Sequence, residues 1–296
     1  FSTTKNFNRV VTLGGLEEGF NWFFTIMLSF IAIFLLPRQF QVSVLEINKE
    51  RHIKTAIWVF PLYLLLFNIF VVFIAYAGKI NLGDTVNAEY FSLLLPLSQG
   101  HTFLATLVFF GGLSAVISMV IISSLALSIM ISNNLIIPYG FLSKFSKSKS
   151  DENNRFIKNI RRFAIFFIII VAYAFYYNFS VQLSLYSIGL TAFVVIAQLA
   201  PSFFIGLFWN RGASKGAIIG IIGGFLVAFY TLLLPFTIEA ITGDTSFVEN
   251  GLFSVNLLKP HALFGIDFLS PAAHAFFWSF SVNIFLYIYF SLNTVG

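Results

Sequence analysis

The chain is poor in charged residues and has no cysteine. Only 10% of its 296 residues are charged, against about 25% in a typical soluble domain. A water-soluble fold of this length could not cover its surface with so few charges, so lipid is the expected second solvent. The absence of cysteine excludes disulfide bonds and leaves the redox compartment open.

Long apolar runs take the place of the missing charge. A helix needs about 20 apolar residues to cross a bilayer, and the sequence predicts seven such transmembrane helices. They are Phe20–Leu36, Thr55–Ala77, Thr102–Ile131, Phe163–Asn178, Leu183–Phe208, Ala213–Leu234 and Ala272–Phe290. We also expect a short surface helix at Thr85–Leu95 and short helices in the long connection Thr237–Pro271. The predicted fold class is an all-α polytopic membrane protein.

Basic residues are concentrated on one side of these helices. The connections after helices one, three and five hold 13 of the 17 Lys and Arg residues, whereas eight acidic residues fall on the other side. The positive-inside rule therefore predicts an outside N-terminal end and a cytoplasmic C-terminal end. The basic run Lys144–Arg162 fits a loop that sets this topology, with a lipid or nucleic-acid patch as the alternative. Because residue 1 is Phe, we expect the sequence to be a piece of a longer chain.

The central turns of the predicted helices carry no charge. A proton pump usually keeps a buried carboxylate or His there, and a retinal protein needs a lysine in its last helix. Neither is present, and the sequence lacks HExxH, paired histidines and Gly-x-Ser-x-Gly. All four histidines lie near helix ends. These absences argue against proton relays, retinal chemistry and hydrolysis.

Hydroxyl groups remain, and the third helix has five serines: Ser114, Ser118, Ser123, Ser124 and Ser128. Hydroxyl and backbone carbonyl oxygens are suitable ligands for sodium. The alternative is structural, because serines within a helix also bond back to carbonyls one turn earlier and allow close packing.

The order of several motifs resembles the C-terminal half of the sodium/solute symporter family, which includes proline and sugar symporters. More narrowly, the chain is similar to the symporter-like module fused to bacterial sensor histidine kinases. The resemblance covers essentially the whole chain and rests on these stretches: Leu36-Pro-Arg-Gln-Phe40, Ala56-Ile-Trp-Val-Phe-Pro-Leu-Tyr-Leu-Leu66, Gly111-Gly-Leu-Ser-Ala115 to Ser132-Asn-Asn134, Ala200-Pro-Ser-Phe-Phe-Ile-Gly-Leu-Phe-Trp209, and His274-Ala-Phe-Phe-Trp-Ser-Phe280 with Asn283.

The resemblance implies an inverted-repeat fold of five plus five helices, of which this chain holds the second repeat. Residues 1–19 would be an extracellular segment, 20–208 the five-helix core repeat, and 209–296 two appended helices with a long extracellular connection. The first repeat would be a missing N-terminal partner of the same chain. The implied location is a bacterial inner membrane.

The resemblance also implies a sodium site on the third helix. Val120 would supply its carbonyl, and Ser123 and Ser124 their hydroxyls; a gap-free alignment on Leu113-Ser-Ala115 places the pattern one residue earlier. Asn21, Trp22 and Thr25 on the first helix are the implied substrate contacts, with packing as the alternative. The position that stacks on sugar in sugar symporters falls on Leu28, which favours an amino acid or small organic acid as the solute.

Two functions are therefore expected. The first is sodium-coupled transport of a small organic solute by alternating access, with no enzymatic activity in this piece. The second is a sensory input module that signals to an attached histidine kinase and its response regulator. A scaffold that has lost transport is a weaker third possibility. No nucleic-acid partner is expected.

Overall fold

The computed structural model describes residues 15–45, 47, 49–83, 86–136, 150–179, 184–242, 246–251 and 255–294. Throughout these ranges the regular elements are helical, and none of the described residues forms a strand. Residues 1–14 of the predicted extracellular segment and residues 144–149 of the basic run lie outside the described residues.

The main helices run in chain order as follows: α1 Leu16–Leu35, α2 Glu50–Leu82, α3 Phe91–Ser98, α4 Thr102–Ile131, α5 Ser150–Phe179, α6 Leu185–Ala197, α7 Ser214–Ala228, α8 Leu234–Thr242, α9 Ser246–Asn250 and α10 Pro271–Thr294. Short helical segments extend several of them: the single turns Pro37–Phe40 and Gly206–Phe208, the 3-10 turns Ala88–Tyr90, Asn256–Leu258 and Leu263–Gly265, and the π-helical segments Gln41–Leu45, Ser132–Ile136, Pro201–Ile205 and Phe229–Leu233.

Seven segments are long and apolar enough to cross a membrane, which confirms the predicted number among the described residues. They are Leu16–Leu35, Glu50–Leu82, Thr102–Ile136, Arg155–Asn178, Leu185–Phe208, Ser214–Glu239 and Pro271–Thr294. We refer to them as spans one to seven. Length and composition are those of a multi-pass membrane protein.

Several helices begin before the predicted apolar runs. α1 starts at Leu16, so Glu17 and Glu18 lie in its first turn, where carboxylates are favoured by the helix dipole. α5 begins at Ser150 rather than Phe163, and its basic side chains lie in its opening turns. Long basic side chains are tolerated there because they can reach the interface while their stems stay apolar.

The predicted short helices are present, with shifted ends. The surface helix expected at Thr85–Leu95 is a 3-10 turn, Ala88–Tyr90, followed by α3. The connection between spans six and seven contains α8, α9 and two 3-10 turns. Phe91 at the start of α3 is 7% exposed and packs on Gly78 of α2, where a Cβ would lie 2.4 Å from the ring.

The chain forms two compact units, residues 37–173 and residues 1–36 with 174–296. In the second of these, which we call the α6–α10 unit, α7 packs along α10, and α1 packs against α6 and α10. Its apolar core includes the fully buried side chains of Leu28, Val194 and Phe276. In the other unit, the α2–α4 unit, α3 contacts α2 and α4, and the turn Pro37–Phe40 contacts α4.

Candidate functional site

The predicted substrate contacts lie on α1, and two of them make bonds within the protein. The half-buried Asn21 accepts a hydrogen bond at Oδ1 from the backbone N–H of Ser270, 3.0 Å away. The Thr25 hydroxyl donates to the Asn21 carbonyl oxygen at 2.8 Å. Trp22 is 61% exposed. The structure therefore brings Asn21 and Thr25 together on successive turns and leaves Trp22 on another side of the helix.

The bond to Ser270 gives Asn21 a packing role. Ser270 immediately precedes α10, so the Asn21 amide ties the start of the last span to α1. Leu28, two turns further along α1, is fully buried in the core of the α6–α10 unit.

The predicted sodium ligands lie on an uninterrupted part of α4. Ser124 is 6% exposed and its hydroxyl donates to the Ile121 carbonyl oxygen at 3.1 Å, while Ser123 is half-buried and the Val120 side chain is exposed. That bond uses the hydroxyl proton and leaves the oxygen lone pairs open to a cation. In a continuous helix the Val120 carbonyl already accepts one N–H, so a single lone pair remains for an ion. The geometry is compatible with both the sodium and the structural interpretation.

Buried hydroxyls continue beyond Ser124 along one side of the helix. Ser128 and Ser132 are at most 1% exposed, and each donates to the carbonyl oxygen three residues earlier, at 2.8 and 3.0 Å. Together with Ser124 they are spaced four residues apart and form what we call the serine stripe. Arg161 of α5 donates from Nε to the Ser132 hydroxyl oxygen at 3.1 Å. Because a guanidinium repels cations, an ion on the stripe is favoured at its Ser124 end.

A second polar group, which the sequence did not reveal, lies in the α6–α10 unit. Gln198 and Asn283 are each 1% exposed and Ser279 is fully buried. Asn283 Nδ2 donates to the Gln198 carbonyl oxygen at 2.7 Å and to Gln198 Oε1 at 3.2 Å. Gln198 Nε2 donates to the Ser279 hydroxyl oxygen at 2.8 Å. We call these three residues the amide cluster; it joins the middle of span five to the middle of span seven.

The amide cluster lies at a break in span five. Pro201 has no N–H, so the carbonyl of Ala197 loses its helical donor, and α6 ends there. The Gln198 N–H turns to the Val195 carbonyl oxygen at 3.3 Å, while Gln198 Nε2 donates to the Val194 carbonyl at 3.0 Å. Side-chain amides thus replace backbone donors, which matters because an unpaired carbonyl in hydrocarbon costs several kcal/mol.

One oxygen of the cluster has no hydrogen-bond partner within the described structure, Asn283 Oδ1. A Cβ on Gly220 of α7 would lie 2.8 Å from it, and one on Gly224 would lie 2.2 Å from Gln198 Oε1. The α7 backbone therefore approaches the cluster closely. The sequence signals were Gln198 three residues before Pro201 and Asn283 in the middle of a predicted helix, and a search for charged residues overlooks both.

Two histidines meet near the start of α10. His274 is fully buried, and its Nε2 accepts the backbone N–H of Leu263 at 3.0 Å. The ring of His261 packs against Phe236, with centroids 6.5 Å apart. Burial lowers the pKa of His261, and the Glu239 carboxylate partly opposes this. The neutral form of His261 is therefore favoured, and the bond from Leu263 to His274 fixes the loop that precedes α10.

A cavity of about 680 Å³ lies between α6 and the helices α7 and α8. Its walls are mainly aliphatic and aromatic, with Thr191, Gln198 and Thr237 as the polar contributors. A cavity of this size is in the range of small-ligand pockets, but its apolar walls suit hydrocarbon better than a charged solute.

No group of three or more His, Cys, Asp or Glu residues that could hold a metal ion occurs among the described residues. No protein-family model, curated protein or solved structure matches the chain.

Proposed function

We propose that the chain is part of a sodium-coupled transporter that moves a small organic solute across a membrane by alternating access. The observation that carries the proposal is the buried serine stripe of α4, which places hydroxyl oxygens inside an apolar span. Sodium binds neutral oxygens, so an ion needs no buried carboxylate there. Val120, Ser123 and Ser124 are the proposed protein ligands.

The break in span five supports the same proposal. Transporters commonly build their sites near the bilayer midplane from helices that are interrupted there. Span five is interrupted at Gln198–Pro201, about halfway along its length, and the Gln198 carbonyl oxygen accepts a hydrogen bond from the Asn283 amide there. Such an interruption gives a membrane helix a place at which its two parts can change direction.

The solute is proposed to be an amino acid or a small organic acid. Asn21 and Thr25 are the proposed polar contacts on one side of α1, and Trp22 is exposed on another side of the same helix. The buried aliphatic Leu28 offers no stacking surface for a sugar ring.

The proposed architecture is the second half of a five-plus-five inverted repeat, with spans six and seven appended. The proposed location is a bacterial inner membrane, with the N-terminal end outside and the C-terminal end cytoplasmic. The missing first repeat would supply the remaining ligands of both sites. The chain alone is therefore expected not to transport.

Sodium binding tests the proposal without knowledge of the solute. In the full-length protein, Ser123→Ala combined with Ser124→Ala should abolish saturable binding of radioactive sodium and sodium-dependent uptake from a panel of amino acids and organic acids. Two hydroxyl ligands would be lost while the helix keeps its length and its apolar character.

The matched control is Ser114→Ala combined with Ser118→Ala, which removes two exposed hydroxyls from the same helix. The control should bind sodium like the wild type. If the Ser123 and Ser124 variant keeps full sodium dependence, the ion site lies elsewhere and the serine stripe is structural.

A sensory input module of a histidine kinase is the second candidate. The predicted cytoplasmic position of the C-terminal end of α10 favours it, because a kinase must lie on that side. A dimerising helix with a phosphorylatable His and an ATP-binding domain beyond Gly296 would support this alternative, and their absence from the full-length gene would refute it.

A further inference from the structure

One end of the α2–α4 unit, which the charge pattern predicts to face the cytoplasm, has an apolar groove. Next to it are three exposed basic residues of α5, which we call the basic ridge: Arg155, Lys158 and Arg162. The groove has a volume of about 550 Å³ and lies between the last turns of span three and the first turns of α5. Aliphatic and aromatic side chains form nearly all of its wall, including Leu135, Ile160 and Phe163. It therefore offers a surface for a hydrocarbon chain rather than for a polar molecule.

Arg161 holds the two walls of the groove together. Its guanidinium donates to the Ser132 hydroxyl oxygen at 3.1 Å and to Asn133 Oδ1 at 3.3 Å. Both acceptors lie at the end of span three, whereas Arg161 belongs to α5. These bonds fix the spacing of the helices, so the groove is a defined feature of the fold.

Three further basic residues of α5 stand beside the groove. Arg155, Lys158 and Arg162 are exposed and recur at helical spacing, so they share one side of α5. Asn159 is also exposed and contributes to the groove wall, so it lies between the basic side chains and the apolar surface. Arg155 begins span four, which places these groups at the level of lipid headgroups.

We propose that this groove is a binding site for an anionic phospholipid. One acyl chain would lie along the apolar wall, and the headgroup phosphate would contact Arg155, Arg162 and the Asn159 amide. Charge complementarity indicates the occupant. Residues 144–162 hold seven Lys and Arg residues but only two acidic ones, Asp151 and Glu152, so this segment attracts an anion. The apolar wall of the groove disfavours a free inorganic anion, which has no hydrocarbon part. A zwitterionic lipid would gain the apolar contact alone.

Native mass spectrometry of the full-length protein tests the proposal. The protein is reconstituted in nanodiscs of phosphatidylcholine with a minor fraction of phosphatidylglycerol, and the retained lipids are counted after release. We expect one phosphatidylglycerol to be retained in preference to phosphatidylcholine. Arg155→Gln, Lys158→Gln and Arg162→Gln together should reduce its retention by at least about tenfold, because each basic side chain near a headgroup contributes severalfold.

Two variants distinguish a specific phospholipid site from general attraction to a positively charged surface. Arg211→Gln with Lys215→Gln removes two exposed basic residues of the α6–α10 unit that do not line the groove, and it should leave retention unchanged. Phe163→Ala removes a groove wall that is 72% exposed, so the fold should tolerate it, and retention should fall about threefold.

Other outcomes would overturn the proposal. Equal losses in the two charge variants would mean general attraction to an anionic surface. Unchanged retention in Phe163→Ala, together with displacement of the lipid by inorganic phosphate, would mean that a free anion is bound. Displacement by a short RNA at the same site would identify a nucleic-acid surface instead.

Discussion

Single buried polar side chains contribute strongly to the stability of this chain, because hydrocarbon offers no alternative hydrogen-bond partners. Asn283 shows this most clearly. Its Nδ2 donates to the Gln198 carbonyl at 2.7 Å, at the point where Pro201 has ended the helix. In a water-soluble protein a water molecule could take over such a bond, but in a bilayer the carbonyl would stay unpaired.

Asn283→Leu should therefore destabilise the protein. The substitution keeps the branched shape and the number of heavy atoms but leaves the Gln198 carbonyl and Gln198 Oε1 without the Asn283 donor, which we expect to cost about 1–3 kcal/mol. The measurement is the unfolding midpoint in detergent with increasing dodecyl sulfate.

Ser281→Ala is the control for this substitution. Ser281 is exposed on the same helix and bonds only to the Phe277 carbonyl oxygen, so its loss should change stability by less than about 0.5 kcal/mol. An Asn283→Leu variant as stable as Ser281→Ala would show that the amide cluster contributes little.

At the scale of helices, the pair α7 and α10 is built on glycine. Gly216, Gly220 and Gly224 recur every four residues and are buried against α10. Small residues at this spacing let backbones approach closely, and van der Waals packing then replaces the hydrophobic effect that a bilayer lacks. The Ser291 hydroxyl also accepts the Ala213 N–H at 3.1 Å, which fixes the start of α7 against α10.

Glycines of different helices should respond to alanine in opposite ways. At Gly216 a Cβ would lie 2.3 Å from the Ser291 hydroxyl and 2.6 Å from the Tyr287 carbonyl oxygen, so Gly216→Ala should force α7 and α10 apart. We expect a loss of about 1–3 kcal/mol in the same unfolding assay.

The comparison is Gly111→Ala in α4, which meets nothing within 4 Å. It should be neutral or stabilising by up to about 1 kcal/mol, because alanine favours the helix. Equal effects at the two positions would contradict the close contact between α7 and α10.

The sequence predicted helices far better than it predicted their irregularities. Apolar length identified seven spans, and α4 matches the predicted Thr102–Ile131 to the residue. The break at Gln198 was missed because a run that is apolar on both sides of Pro201 reads as continuous. Apolar length predicts that a span exists. The exact end of α6 depends in addition on Pro201 and on the bond that Asn283 makes to the Gln198 carbonyl.

The predicted sites depended on the same distinction. Hydroxyls of α4 were visible in the sequence, and the structure places Ser124 at a buried position. The partner of Asn21, the backbone N–H of Ser270, lies 249 residues away along the chain. The amide cluster likewise joins residues 81 and 85 positions apart. Contacts between residues so far apart along the chain depend on how the helices pack. Residue spacing and composition do not predict that packing.

At the scale of the whole chain, charge placement predicts how the spans are inserted. Arg211 lies between spans five and six and Lys215 in the first turn of span six, whereas Lys259 lies between spans six and seven with Glu249 and Asp267. Because cytoplasmic loops carry the excess of Lys and Arg, the first pair should face the cytoplasm and the second loop the outside.

Residues 1–296 contain no cysteine, so a thiol introduced there is the only one among them, and the unsubstituted protein gives the background labelling against which this orientation can be measured. Lys259→Cys should react with a membrane-impermeant maleimide in intact cells, whereas Arg211→Cys should react only after permeabilisation. Arg211 is exposed and Lys259 is half-buried, so denatured protein provides the reference for full labelling of each. Labelling of Arg211→Cys in intact cells would show that the topology is the opposite of the predicted one. The basic ridge beside the groove would then face outward, and so would any kinase attached to α10, which would exclude the sensory function while leaving transport possible.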